Sequence, residues 1–448
     1  MRSAMTGIVW PALQSPEAAR LLAVCRQLDE SQWWPREVIS EHQRRQLAPL
    51  LAHAAAIPFW RERFAAAGLD PAREVDPAAF TRLPLLTRRD LQTQGDALRS
   101  PGLPPGHGES TPRKSGGSTG EPVQVHTTGV AMLFWAAMLL REHLWQRRDF
   151  GGKLIAIRSY VEQADLPSWG PPADLVFVTG PGAIIDIRVD VGEQLDWLVR
   201  QDGDYLITHP TNLRALAQLA LERGVRLPRL KEARTFGEVL PADLRRLVRE
   251  AWDARVTDVY SAEEVGHIAL QCPEYEHYHV AAEDALVEIL DAQERPCGPG
   301  QTGRVVVTSL HNFAMPLIRY AVGDYAEVGP PCPCGRGLQV LTRIHGRQRN
   351  MLLLPDGRRH FPTFPGLRYG GIAPVRQIQI VQKTLDTLEV RYAPDRPLTG
   401  NEERAMIARI QDVMGYPFTV VLRVVDHIPR TPRQKFEDFV SEVTDAVP

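Results

Sequence analysis

Apolar positions along the chain change period several times, and each change marks a different kind of element. Over residues 16–66 they recur at helical spacing, and Pro58 interrupts the run LAPLLAHAAAIPFWRERFAAAG, because proline lacks an amide donor and clashes with the preceding turn. TRLPLLTRRDLQ reads as an extended segment running into a helix that Thr87 caps. VQVHTT alternates like a strand, and AMLFWAAMLLREHLW is apolar around most of its circumference, as a buried helix is. Beyond it, short apolar strands (KLIAIR, DLVFVT, YLITH, ARTFGEVL, RVTDVYS) alternate with helical stretches (EQLDWLVRQ, NLRALAQLALERG, DLRRLVREAW). That rhythm predicts a mostly parallel sheet covered on both faces. Over residues 279–346 the runs HVAAEDALVEILD, GRVVVTSL, PLIRYAVGDYAEV and LQVLTRIHG are strands divided by turns. Residues 347–448 mix strands (RQIQIVQ, TLEVRYA, FTVVLRVV) with one helix, NEERAMIARIQDVMG. The expected fold class is α/β. A large core over 1–346 holds parallel-sheet subdomains and a small β-rich one at 279–346, and a small α+β domain follows over 347–448.

Composition narrows the function classes. The 448 residues are 44% hydrophobic and 24% charged, ordinary for a globular protein, and the net charge is −2. That balance leaves no basic footprint for nucleic acid and no polybasic patch for a membrane. No run approaches the ~18 apolar residues of a spanning helix. The N-terminal MRSAMTGIVWPALQSPEAAR lacks the basic and apolar regions of a secretory signal. Five cysteines, Cys25, Cys272, Cys297, Cys332 and Cys334, are an odd count that argues against a disulfide framework. A cytoplasmic location is expected.

The chemistry concentrates at Ser115–Pro122, SGGSTGEP. It is not a Walker loop, because no Lys-Ser/Thr pair closes it. The physical logic is related: glycines let the backbone approach a phosphate, successive amides form an anion nest, and Ser115, Ser118 and Thr119 add hydroxyl donors. By itself such a stretch serves equally well as a flexible connector.

Four further motifs follow in a telling order: FGEVL (236–240), DVYSAEEVG (258–266), IRYAVGDYAEV (318–328) and PRTPRQKF (429–436). With the glycine–hydroxyl loop they resemble the adenylate-forming superfamily of acyl-CoA synthetases, carrier-protein adenylation domains and luciferases. LLAHAAAIPFWRERF, LPLLTRRDL, MPLIRY and CPCGRGL with IHGR are similar to its phenylacetate-CoA ligase-like branch. The resemblance covers nearly the whole chain.

The resemblance implies roles residue by residue. Ser115, Gly116, Gly117, Ser118, Thr119 and Gly120 would wrap the ATP phosphates. Gly237 and Glu238 would line the adenine pocket, and Tyr260 would stack on the base. Glu264 would hold Mg²⁺, Asp324 would accept both ribose hydroxyls, and Arg347 would contact phosphate or ribose. Lys435, on a mobile C-terminal domain that rotates about Arg349, would bridge the acid's carboxylate to the α-phosphate. The acid pocket is expected between helix 131–145 and the strands ending at Thr179–Gly182 and His209–Pro210, with Phe134, Trp135 and His209 as lining candidates.

Cys332-Pro-Cys334-Gly335 is a knuckle-like turn, and Cys272, His277 and His279 supply one thiolate and two imidazoles upstream. Two short ligand groups far apart in sequence suit a four-coordinate structural Zn²⁺. The chosen set is Cys272, His279, Cys332 and Cys334, with His277 as the alternative. Similar residues recur in the resembled branch.

Several positions depart from the superfamily's pattern: Glu121, Glu263, Arg349, Gln434 and the loop LLPDGRRHFPTFPG (353–366). The expected function is AMP-forming activation of a carboxylic acid, aryl or arylacetic, followed by transfer to a thiol such as coenzyme A. The altered 353–366 loop keeps an amine or a carrier protein open as acceptor, and Glu121 and Glu263 keep open a zinc-stapled nucleotide binder without catalysis. A homodimer is compatible with the sequence.

Overall fold

The computed structural model describes residues 1–114, 123–347, 351–360, 372–428 and 439–443. Three helices open the chain: α1 (Pro16–Ser31), α2 (Arg36–Ala54) and α3 (Pro58–Ala67). Pro58 stands at the start of α3, where a missing amide costs nothing, and so turns the expected break into a new helix. The short α4 (Pro77–Thr81) and α5 (Arg88–Gln94) follow. Thr87 caps α5 in a reciprocal box with Asp90. Strands β1 (Thr111–Lys114) and β2 (Gln124–Thr127) pair antiparallel on either side of the glycine–hydroxyl loop and lead into α6 (Gly129–Trp145).

The alternating region runs β3 (Leu154–Arg158), β4 (Ala164–Leu166), α7 (Ala173–Val176), β5 (Gly182–Asp186), α8 (Val191–Gln201), β6 (Tyr205–Thr208), α9 (Pro210–Arg223), β7 (Glu232–Phe236), α10 (Leu244–Trp252) and β8 (Arg255–Ala262). Six strands succeed it: β9 (Gly266–Gln271), β10 (Tyr278–Val280), β11 (Ala285–Leu290), β12 (Thr302–Ser309), β13 (Tyr320–Val328) and β14 (Val340–Arg347). Twelve strands join in one mixed sheet of order β11-β12-β13-β14-β10-β9-β8-β7-β6-β3-β5-β4. The stretch β5-β3-β6-β7-β8 is parallel, and the hairpin β8–β9 reverses direction into the β-rich part.

Both faces of the parallel stretch are covered. Ile155, Ala183, Leu206, Ala233 and Val256 face the apolar sides of α8, α9 and α10. Alternate residues point the other way, where Glu232, Arg234 and Thr257 meet α6 and Arg148. DLVFVT is not the strand its composition suggested. Ala173–Val176 is a helical turn behind Pro171 and Pro172, and Phe177 stacks on Phe150 at 4.3 Å, so the neighbouring strand starts at Gly182 instead. A four-residue apolar run is too short for its period to separate helix from strand.

The chain divides into two compact units, Met1–Leu240 with Leu244–Ile344, and Pro241–Asp243 with His345–Pro448. The second unit holds a four-stranded sheet in the order Thr419–Val424, Thr387–Pro394, Val375–Gln382 and Phe439–Ser441. Helix Gly400–Met414 is capped by a Thr399–Glu402 box and closed by Gly415 at φ +65°. Met406 and Ile410 of this helix join Ile378, Ile380, Leu388 and Val390 in the unit's own core. No helix among the described residues is long and apolar enough to cross a membrane.

Candidate active site and metal centre

Among the described residues, Gly237 and Glu238 follow the end of β7, and Tyr260 and Glu264 lie at and just past the end of β8, the edge at which open α/β sheets bind ligands. β7 ends at Phe236, and Gly237 turns away at φ +76°, a conformation that favours glycine. The Glu238 carboxylate accepts from the Thr211 amide at 3.0 Å and the Thr211 hydroxyl at 2.8 Å. Tyr260, near the end of β8, donates its hydroxyl to Asp324 Oδ2 of β13 at 2.9 Å. Both side chains are largely buried. Glu264 sits in the β8–β9 turn, and Arg88 at the start of α5 donates to its Oε1 at 2.9 Å. Tyr260, Glu264 and Asp324, spread over 65 positions, thus belong to one locality. Ser115, Gly116, Gly117, Ser118, Thr119, Gly120 and Lys435 lie outside the described residues, as do Glu121, Arg349 and Gln434. Arg347 ends β14 in the second compact unit.

A cavity opens between the start of α6 and the β8–β9 turn. Trp135, Glu263, Glu264 and Gly266 line it, together with Asp284 and His311. Of the three lining candidates named from sequence, Trp135 faces this space. Phe134 is stacked flat on His311, with ring centroids 3.5 Å apart. His209 lies elsewhere: its ring meets Phe236 at 4.6 Å, and Nδ1 is 3.0 Å from the Phe236 carbonyl oxygen.

Arg148, just past α6, centres a charge cluster that sequence reasoning missed. Arg148 donates to Glu142 Oε2 at 2.8 Å and to Glu232 Oε1 at 3.0 Å, and Arg234 reaches Glu142 Oε2 at 3.0 Å. Burial alone would raise the pKa of Glu142, but Arg148 and Arg234 hold it far below the usual carboxylate range. Burial, with Arg234 adding to it, brings His267 down to about 4, so its ring is neutral near pH 7. The available signal was the charged Arg141-Glu142 pair inside an otherwise apolar helix.

At the far end of β9, donor atoms of Cys272, His277, His279 and Cys332 lie within 4.8 Å of one another. His277 Nε2 is 3.0 Å from Cys332 Sγ, and the two thiols are 3.9 Å apart. Cys334 borders the group, with Sγ 3.4 Å from His279 Nε2. The structure therefore brings both histidines in, and the choice between them made from sequence is not forced by distance. Gly335, at φ +86°, closes the turn after Cys334, its amide donating to the Cys332 carbonyl at 3.2 Å. Burial pushes the Cys332 thiol up to about 12 and lowers His279 to about 3. Neutral imidazoles and thiols that lack a countercharge are a donor set a dication satisfies.

Sequence comparison finds phenylacetate-coenzyme A ligases. The Thermus thermophilus protein is 25% identical over 378 residues, 81% of this chain and 83% of its own. The Escherichia coli protein is 24% identical over 420 residues, 87% and 92% of the two chains. Over most of its length the chain is thus similar to phenylacetate-CoA ligases. Among solved structures, 2-hydroxyisobutyryl-CoA ligase in its postadenylation state superposes with a TM-score of 0.73 at 19% identity, covering 92% of both chains. Anthranilate-CoA ligase AuaEII with anthranoyl-AMP gives 0.55 at 17% identity, over 73% of this chain and 65% of its own. These likenesses show that the phenylacetate-CoA ligase-like chain has the adenylate-forming fold. No family model matches it.

Proposed function

We propose that the protein is an AMP-forming acid–thiol ligase. It joins a carboxylic acid, aryl or arylacetic, to the α-phosphate of ATP, releases pyrophosphate, and passes the acyl group to coenzyme A. The observation that carries this is the Tyr260–Asp324 hydrogen bond beside the Glu264 turn. It sets a carboxylate, whose two acceptor oxygens suit a ribose, beside an aromatic ring, whose face suits a purine, and so supports the reading. The likeness to CoA ligases over most of the chain supports the same reading.

In this scheme the glycine loop 115–120 wraps the phosphates, and Gly237 and Glu238 border the base. Glu264, now paired with Arg88, would hold Mg²⁺, which would supply charge to offset that of the phosphates. Arg347 contacts the nucleotide, and Lys435, in the domain over 347–448, supplies the cation that stabilises charge at the α-phosphorus. Trp135 and Phe134 bound the acid side. Zn²⁺ held by Cys272, Cys332, His279 and His277 or Cys334 is structural, because it ties the β9–β10 loop to the turn before β14.

Pyrophosphate release with a panel of aryl and arylacetic acids tests the reading. Release that depends on both ATP and acid is expected, and Lys435→Ala should abolish it while ATP still binds. ATP binding without release for any acid would leave only a nucleotide-binding protein.

A further inference from the structure

The cavity beside Glu264 holds a histidine–carboxylate pair that the scheme above does not use. His311 follows β12, and Asp284 lies between β10 and β11. His311 Nδ1 is 3.2 Å from Asp284 Oδ1. An ionised carboxylate only accepts, so Nδ1 carries the proton, and in the neutral ring the lone pair is on Nε2. The His311 side chain keeps 11% of its surface exposed, whereas His267 and His279 are buried with a ring nitrogen that meets no hydrogen-bond partner. Both residues line the cavity that Trp135, Gly266 and Glu264 share.

The ring is fixed on several sides. Phe134 stacks on it at an interplanar angle of 9°. The Leu310 amide donates to the Asp284 carbonyl at 3.0 Å, which locks the two turns together. The next residue, Asn312, donates to the His126 carbonyl of β2 at 2.8 Å. The pair is thereby tied to the hairpin that bears the glycine–hydroxyl loop. A histidine needed only for packing would have no use for an orienting carboxylate and an open face on a cavity.

We infer that His311 is the general base of the acyl-transfer step and that Asp284 is its positioning residue; the inference rests on the adenylation reading. A free thiol with pKa near 8.5 is only about 3% thiolate at pH 7, so an acceptor thiol gains from a base within reach. His311 Nε2 takes the S–H proton as sulfur attacks the acyl carbon. A C–S bond forms, the bond from the acyl carbon to the phosphate oxygen breaks, and its electron pair leaves with AMP. The imidazolium then passes its proton to AMP or to solvent. No oxidant or further reactant is involved.

The test supplies synthetic phenylacetyl adenylate, so the transfer step is read without the adenylation step. Wild type and His311→Gln are compared with two acceptors, coenzyme A and hydroxylamine, whose nitrogen is already unprotonated at neutral pH. Removing the base should slow thioester formation about 100-fold in kcat, with little change in KM for coenzyme A and little change in hydroxamate formation. Asp284→Asn keeps the imidazole and should give a smaller loss of the same kind. It decides the matter if His311→Gln does not fold, as tryptophan fluorescence would reveal. An equal loss with both acceptors would make the pair structural and overturn the assignment. So would an unaffected thioester rate, or wild-type protein that does not transfer the supplied acyl group to coenzyme A. ATP-dependent pyrophosphate release, measured separately, fails only if the adenylation reading itself is wrong.

Discussion

Arg319 offers a prediction whose size follows from the structure. Its side chain is fully buried beside β13, the strand that carries Asp324. Nε and Nη2 hold Glu288 at 3.1 and 3.2 Å, and Nη1 donates to the carbonyls of Thr81 and Leu83, both at 2.6 Å. Its backbone is strained at φ +50°, and its carbonyl accepts from Leu86 at 2.9 Å. One guanidinium therefore pins the segment before α5 to the ribose side of the site. Arg319→Met keeps the aliphatic stem but removes all four donated bonds and leaves Glu288 and two carbonyls behind. Breaking one side of a buried ion pair costs ~3–5 kcal/mol, and a loss near 4 is expected here. Burial already raises the pKa of Glu288, and Arg319 is what opposes it. Without Arg319 the folded state favours the protonated acid further. A raised acid contributes stability below its unfolded pKa and loses it as pH rises, so the deficit should grow from pH 5 to pH 8. Chemical denaturation followed by tryptophan fluorescence is the assay, because all nine tryptophans, Trp10 to Trp252, lie in the first compact unit. A loss under ~1 kcal/mol, or one that shrinks at higher pH, would refute the clamp. Glu288→Gln in the Arg319→Met background should cost much less than in wild type, since the partner it serves is gone.

Burial raises Asp258 to about 6, against hydrogen bonds from Thr235 and Tyr278. The folded state should therefore lose on the order of 3 kcal/mol as pH climbs from 4 to 7, and Asp258→Asn should flatten that slope in denaturation curves. Tyr260→Phe removes the hydroxyl that orients Asp324, so the Kd for ATP should rise about tenfold, as expected for one bond to a charged group; calorimetry showing no change would detach the pair from the nucleotide. Purified protein should contain near one Zn²⁺ per chain, and a chelator or Cys332→Ser should lower the fluorescence melting midpoint. Cys334→Ser would match Cys332→Ser only if Cys334 is the fourth ligand in place of His277.

Much of the local structure was legible. Thr87 announces its helix through a short-range cap, and Pro58 announces a boundary, because these effects act within one turn. The strand–helix rhythm from about residue 150 to 270 likewise predicts a mostly parallel sheet. DLVFVT escaped that logic because a four-residue apolar run fits a helical turn as well as a strand. The charge cluster at Glu142, Arg148 and Glu232 escaped it for another reason. Each residue taken alone looks like a surface charge, and only the approach of α6 to the β7 and β8 face makes them mutual partners.

The sequence by itself determined most of the elements, DLVFVT apart, and the order of the motifs, since periodicity and capping act over a few residues. It also carried the glycine–hydroxyl loop's suitability for phosphate. Only the tertiary structure decided that Tyr260 meets Asp324, that His277 joins His279 beside Cys332, and that Asp284 stands behind His311. Such meetings depend on strand order and on which side chains share a sheet face, and neither is written in the spacing of residues along the chain.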